Sequence, residues 1–168
     1  MKSKKAIRAD LRAIRSEITF AEVVTKSGHI VAALDAVLKS LSFKSLHCYE
    51  PISKLHEVDV SELFDMPDIA LYTSRKQADE WHIVSMLDDI AKEDVALDVI
   101  IVPMLGFDEN LHRIGYGGGY YDRLLAAHPR ALRIGVCYES GKVEQIPIEP
   151  HDIPLNLIIT EERAVIAI

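Results

Sequence analysis

Asp98-Val99-Ile100-Ile101-Val102-Pro103-Met104-Leu105 is the stretch on which the fold turns. Four consecutive β-branched residues with no polar alternation fit a strand covered on both faces, as in the middle of a parallel sheet. Downstream come a glycine-rich loop over 106–119 and a helix over Tyr120–Ala127, ended before Pro129. A strand at Leu132–Cys137, a loop with Pro147, Pro150 and Pro154, and strands at Leu157–Thr160 and Ala164–Ile168 complete that side. Upstream, Trp81–Val84 reads as a strand, Arg75–Glu80 as a polar turn, and 85–94 as a helical turn closed by Lys92-Glu93-Asp94. Ile69–Tyr72 and Ser45–Tyr49 read as strands, Val58–Phe64 as a short helix and Pro51–Glu57 as a loop. Thr19-Phe20-Ala21-Glu22 has the capping-box pattern and starts a helix near Phe20, continued by Val23, Ile30, Leu34, Val37, Leu38 and Leu41 and weakened at Gly28. Ile7, Leu11, Ile14 and Ile18 recur at helical spacing and predict a helix over residues 3–18. Strands alternating with helices predict an α/β chain: a mostly parallel sheet flanked by helices, a three-layer sandwich, in a single domain over 1–168.

Nearly half of the residues are apolar and mean hydropathy is close to zero, which suits a packed core and excludes a disordered chain. The basic opening residues lead into no apolar h-region, and no run reaches the roughly 18 apolar residues of a membrane span. A cytoplasmic protein without a membrane partner is the expectation. Cys48 and Cys137 both sit in strand-like runs and are expected to be buried, reduced thiols. The net charge is −7, yet residues 1–15 hold six cations against one anion. The acidic remainder argues against a nucleic-acid partner, whose footprint is a broad basic surface.

The strand runs into Arg113-Ile114-Gly115-Tyr116-Gly117-Gly118-Gly119-Tyr120-Tyr121-Asp122-Arg123. Four glycines in five positions between a buried strand and a helix put bare amides at the carboxyl end of a sheet and the positive end of a helix. The pattern is neither Walker A, lacking Lys-Ser/Thr, nor the dinucleotide fingerprint, whose last glycine is here Tyr120. Such a segment binds phosphate or is simply a flexible surface loop. Arg113 can fork onto phosphate oxygens. Asp122 can hold a cation beside them or merely complement the helix dipole. Lys4, Arg8, Arg12 and Arg15 form a stripe on the first helix, where cations in the first turn oppose the macrodipole. The stripe is either a solvated face or one that meets an anion. Seven scattered histidines lack zinc-ligand spacing, and no G-x-S-x-G elbow occurs.

The run Pro103-Met104-Leu105-Gly106-Phe107-Asp108 and the block from Arg113 to Arg123 together resemble 5-formyltetrahydrofolate cyclo-ligases. Lys4-Lys5-Ala6-Ile7-Arg8 is similar to that family's amino-terminal K-x-x-x-R signature. Ile52-Ser53-Lys54-Leu55-His56-Glu57 is similar to its folate-contacting segment. The resemblance implies ATP and Mg²⁺ as cofactors, with Lys4, Arg8, Arg113, Gly115, Tyr116, Gly117, Gly118, Gly119, Tyr120 and Tyr121 around the nucleotide. It implies Asp122 as a metal ligand, and Ile52, Glu57 and Tyr121 around a reduced folate, with Arg113 and Tyr121 as the catalytic pair. Glu57 could equally be an ordinary helix-start acid and Tyr121 a core residue. In His151-Asp152-Ile153-Pro154-Leu155-Asn156, the resemblance implies a second metal ligand at the sixth place, where this chain has Asn156. The phenylalanine-glycine-isoleucine and glutamate-proline landmarks of the family are missing between Ile69 and Asp98. The activity implied is ATP-dependent cyclisation of 5-formyltetrahydrofolate to 5,10-methenyltetrahydrofolate by a monomer or weak homodimer. A relative that binds nucleotide or folate without turnover is the alternative.

Overall fold

The computed structural model describes residues 2–166. Two helices come first, α1 (Lys4–Ser16) and α2 (Phe20–Lys39). Thr19 caps α2 reciprocally with Glu22, as the capping box predicts. The strands are β1 (Ser45–His47), β2 (Ala70–Gln77), β3 (Glu80–Ser85), β4 (Val99–Pro103), β5 (Gly106–Phe107), β6 (Arg113–Ile114), β7 (Leu132–Val136), β8 (Leu157–Ile159) and β9 (Ala164–Ile166). Helix α3 (Tyr120–Ala127) lies between β6 and β7. The residues 167–168 assigned to the last strand lie outside the described ones.

Seven strands form one sheet in the order β3-β2-β1-β4-β7-β8-β9. All neighbours are parallel except the edge strands β3 and β9. Strand β4 shows why three layers form. Val99 and Ile101 pack into a core with Ile30, Leu34 and Leu38 of α2, while Ile100 and Val102 pack with Leu124 and Leu125 of α3. Full burial of the β-branched run thus follows from helices on both faces. Cys48 and Cys137 are buried free thiols. Among the described residues no helix is long and apolar enough to cross a membrane.

Three expectations are corrected. Val58–Phe64 is not a helix: Val58 and Val60 are buried from a non-helical segment, and only Ser61–Phe64 makes a 3₁₀ turn. Arg75–Glu80 is not a turn, because β2 continues to Gln77 and reverses over Ala78 and Asp79 alone. Both residues have positive φ (46° and 67°), as a two-residue hairpin turn demands, yet neither is glycine. Residues 86–94 hold no helix; a bridge between Val84 and Ala91 lays them against β3. Within the glycine-rich loop, β5 and β6 form a short antiparallel hairpin.

Candidate functional site

Parallel strands put their carboxyl ends on one side of the sheet, where loops can converge on a ligand. There the chain forms a cavity of about 910 Å³. Lys4 and Arg8 line it from α1, Ile52 and Glu57 from the loop after β1, Arg113 from β6, residues 115–119 from the glycine loop, and Tyr120–Asp122 from α3. A second cleft, of about 1010 Å³, opens at the opposite end of the parallel strands, beside Lys44, Asp98 and His128, and holds none of the residues selected from sequence.

The glycine loop is shaped by backbone need. Gly117 (φ 103°) and Gly119 (φ 65°) occupy left-handed conformations that a Cβ disfavours. Gly119 is the N-cap of α3 and offers no side-chain cap, so the first amides of α3 keep free hydrogens. Helix α1 holds this loop through its basic stripe. Arg8 Nε donates to the Gly115 carbonyl at 2.9 Å, and Arg12 Nη2 to the Tyr116 carbonyl at 3.2 Å. Arg15, only 6% exposed, donates to the Met104 carbonyl at 2.7 Å and to the Tyr116 hydroxyl at 3.4 Å, and lies over the Tyr138 ring. The stripe is therefore not a solvated face: it binds the helix to the loop.

Three ion pairs, made by two cations, stand inside the cavity. Arg113 donates to Asp122 and, through its other terminal nitrogen, to the Ile153 carbonyl. Lys4 Nζ meets Asp152 at 2.5 Å and Glu149 at 2.7 Å. Burial alone would lower the pKa of Lys4, but these two carboxylates outweigh it and raise it. Burial opposes ionisation of Asp152, and the Lys4 ammonium prevails and lowers its pKa. Ligand atoms of Glu149, His151 and Asp152 all lie within 4.8 Å of one another. The carboxylate oxygens of Glu149 and Asp152 are hard donors that fit Mg²⁺, whereas His151 offers a nitrogen.

Asn156 does not join them, which corrects the expected metal set. It precedes β8, at the end of the sheet where parallel strands begin, and its Oδ1 accepts from the Arg133 backbone N–H (2.9 Å) and Nε (3.1 Å). The carboxylate that enters the cavity from this segment is Asp152, four residues earlier. Pro154 and the buried Leu155 separate the cavity loop from β8. Asp152 stands in the same His-Asp-Ile-Pro run and was legible there.

On the other side of the cavity, Glu57 Oε2 accepts the Ile52 N–H at 2.7 Å. Burial raises its pKa above the usual carboxylate range, against the Ile52 amide, the Tyr116 hydroxyl and the Arg15 charge. Ile52 and Leu55 leave exposed apolar surface at the rim. Tyr121 lines the cavity while packing on the α3-side core, and burial raises its pKa well above the ordinary value. Sequence reasoning missed Trp81, Lys76, Asp152 and Glu149, all of which line the cavity. It read Arg15 only as part of a stripe. Asp108 of the Pro103–Asp108 run is buried and accepts the N–H groups of Asn110, His112 and Ile146, so it fixes the loop and not a ligand.

Comparison with known proteins places the chain in a family. Residues 36–161 match the model of the 5-formyltetrahydrofolate cyclo-ligase family. The 5-formyltetrahydrofolate cyclo-ligase of Escherichia coli (strain K12) is 41% identical over 69 residues, 40% of this chain and 38% of that one. The enzyme of that name from Mycolicibacterium smegmatis is 39% identical over 72 residues, 42% of this chain and 37% of that one. The match thus spans less than two fifths of the length of these curated relatives. Structural likeness runs further. A solved 5,10-methenyltetrahydrofolate synthetase from Mycoplasma pneumoniae superposes with a TM-score of 0.84 at 27% identity, covering 95% of this chain and 99% of that one.

Proposed function

The chain belongs to the 5-formyltetrahydrofolate cyclo-ligase family, and from that premise we propose that it converts 5-formyltetrahydrofolate to 5,10-methenyltetrahydrofolate, with ATP giving ADP and phosphate. One observation carries the proposal. A single cavity joins an anion-binding end, built from Lys4, Arg8, Arg113 and the glycine loop, to an end with a buried carboxylate and apolar walls. The first suits a triphosphate, through backbone amides at a helix start and cations around them. The second suits a pterin, whose adjacent N–H donors match the oxygens of Glu57. Ile52 and Tyr121 bound the ring.

A formyl amide oxygen is a poor leaving group. Transfer of the γ-phosphoryl group to that oxygen releases ADP and makes it a good one. The N10 lone pair then attacks the formyl carbon, the C–O bond breaks, phosphate departs, and N10 gives up its proton. No covalent enzyme intermediate is required; the chain positions the two substrates and balances charge on the moving phosphoryl group. Arg113 faces that group, and Tyr121 holds the folate against it. Asp122 and Asp152, with Glu149 beside Asp152, would hold Mg²⁺, which when bound neutralises phosphate oxygens.

Incubation with ATP, Mg²⁺ and 5-formyltetrahydrofolate should produce the absorbance of the methenyl product. Binding of both substrates without product would instead make the chain a binder without turnover. Lys4→Ala and Arg8→Ala should weaken ATP binding while leaving folate binding nearly unchanged; unchanged ATP affinity in both would remove α1 from the site.

A further inference from the structure

The β2–β3 hairpin presents to the cavity a face to which the roles above assign nothing. Lys76 and Trp81 are direct cross-strand partners, as are Ser74 and Ile83. By strand alternation these four side chains leave the hairpin on one side. Ser74, Lys76 and Trp81 line the cavity. Trp81 is 48% exposed, a large indole left half in water at the edge of a concave site. Its ring centroid lies 4.8 Å from that of Tyr120, the planes inclined at 34°. Tyr120 is in turn fixed through its hydroxyl to Ser74, whose Oγ also meets Nε2 of buried His47 at 2.7 Å. The aromatic surface is therefore preset before any ligand arrives, which spares a ligand the cost of ordering it.

The neighbouring cations differ in their commitments. Arg75 is held by Glu50 and Asp89. Lys76 has one carboxylate near it, Asp79 at 3.1 Å, and that side chain is 97% exposed. Such a pair contributes little and yields readily to another anion. An indole face and a loosely held ammonium thus stand side by side, lining the same cavity as Glu57. An aryl ring followed by a carboxylate is the chemistry that matches them.

Resting on the folate reading above, we infer that Trp81 and Lys76 form the subsite for the aryl-glutamate part of the reduced folate. The aryl ring packs against Trp81, and Lys76 Nζ receives a carboxylate of the tail. The pterin contacts would set which ring is accepted, and this hairpin would set how strongly tail-bearing molecules are preferred.

Trp81 is the only tryptophan in the chain, so its emission reports on this subsite alone. Wild-type protein should be titrated with 5-formyltetrahydrofolate and with 5-formyltetrahydropterin, which lacks the aryl-glutamate tail, following both heat and emission. The folate should change Trp81 emission; the pterin should bind about tenfold more weakly and leave emission unaltered. Trp81→Leu should raise the folate KM about tenfold, and Trp81→Phe should restore most of it, because a phenyl ring still stacks. Lys76→Met should raise the folate KM about threefold, an effect that shrinks with added salt. ATP KM should be unmoved in all three. Folate KM within about twofold of wild type in both Trp81→Leu and Lys76→Met would overturn the subsite. So would calorimetric saturation by folate with unchanged emission. If wild-type protein neither binds folate nor forms product, the folate reading falls and the subsite with it; turnover that ignores both substitutions sinks the subsite alone.

Discussion

The two walls of the cavity are held by different forces. On the α1 side, three arginines reach into the loop from residue 104 to 116 and satisfy its carbonyls, with Arg15 buried among them. On the hairpin side, β3 is an edge strand, its turn carries two non-glycine residues at positive φ, and its ion pairs face solvent. Charge-assisted bonds made out of water are strong, whereas exposed pairs are weak. The phosphate wall should therefore be intolerant of substitution, and the outer edge of the hairpin wall tolerant of it.

The sharpest break in that contrast should come from Arg15→Met. Arg15 makes no ion pair among the described residues, and its removal leaves the buried Met104 carbonyl with only the weak Cys137 thiol, at 3.7 Å. Each orphaned group costs about 1–3 kcal/mol, so denaturant unfolding should show a loss of about 3 kcal/mol. An unshifted midpoint would mean that water replaces the guanidinium. Next in size is Gly117→Ala, where a φ of 103° strains any L side chain by about 1–3 kcal/mol. Gly118→Ala, with nothing within 4 Å of the added carbon, should stay within about 0.5 kcal/mol of wild type. Equal effects at the two positions would show that the loop does not hold its conformation.

Glu57→Gln should act on stability and function in opposite directions. Burial holds the Glu57 pKa above the ordinary carboxylate value of 4.5, so the folded chain binds this proton more tightly than the unfolded chain. Its ionisation therefore costs stability, beginning as pH rises through 4.5 and reaching the full cost above the raised folded value. The glutamine variant should melt higher than wild type at pH 7 and alike at pH 4, while folate affinity falls about tenfold or more. A lower melting temperature at pH 7 would refute the sign. A small gain belongs to the hairpin: Ala78→Asn with Asp79→Gly suits both positive φ values and should add about 0.5–1 kcal/mol. A larger gain would show the hairpin to be less independent of the core than its ion pairs suggest.

Legibility in the sequence followed the same division. Strand β4 was readable because both its faces are apolar, and α2 because Thr19 and Glu22 announce its start. The glycine loop was readable because positive φ at 117 and 119 demands glycine. The hairpin was legible only as two short strands with a polar turn between them, since Ala78-Asp79 carries no turn signature and the solvent-facing half of β2 looks like a loop. Trp81 and Lys76 were missed for that reason. Asn156 misled because a motif position says nothing of which end of a strand it occupies; the structure puts Asp152 on the ligand side of Pro154.

Lys4 meets Asp152 across 148 residues of chain, and Arg8 meets Gly115 across 107. A nascent polypeptide therefore displays its amino-terminal helix long before anything exists for that helix to grip. Loop-closure entropy must be met first, and the reward comes only once residues 104–116 and, for Lys4, 149–152 have been made. A chain halted before residue 149 would expose Lys4 without either of its carboxylates.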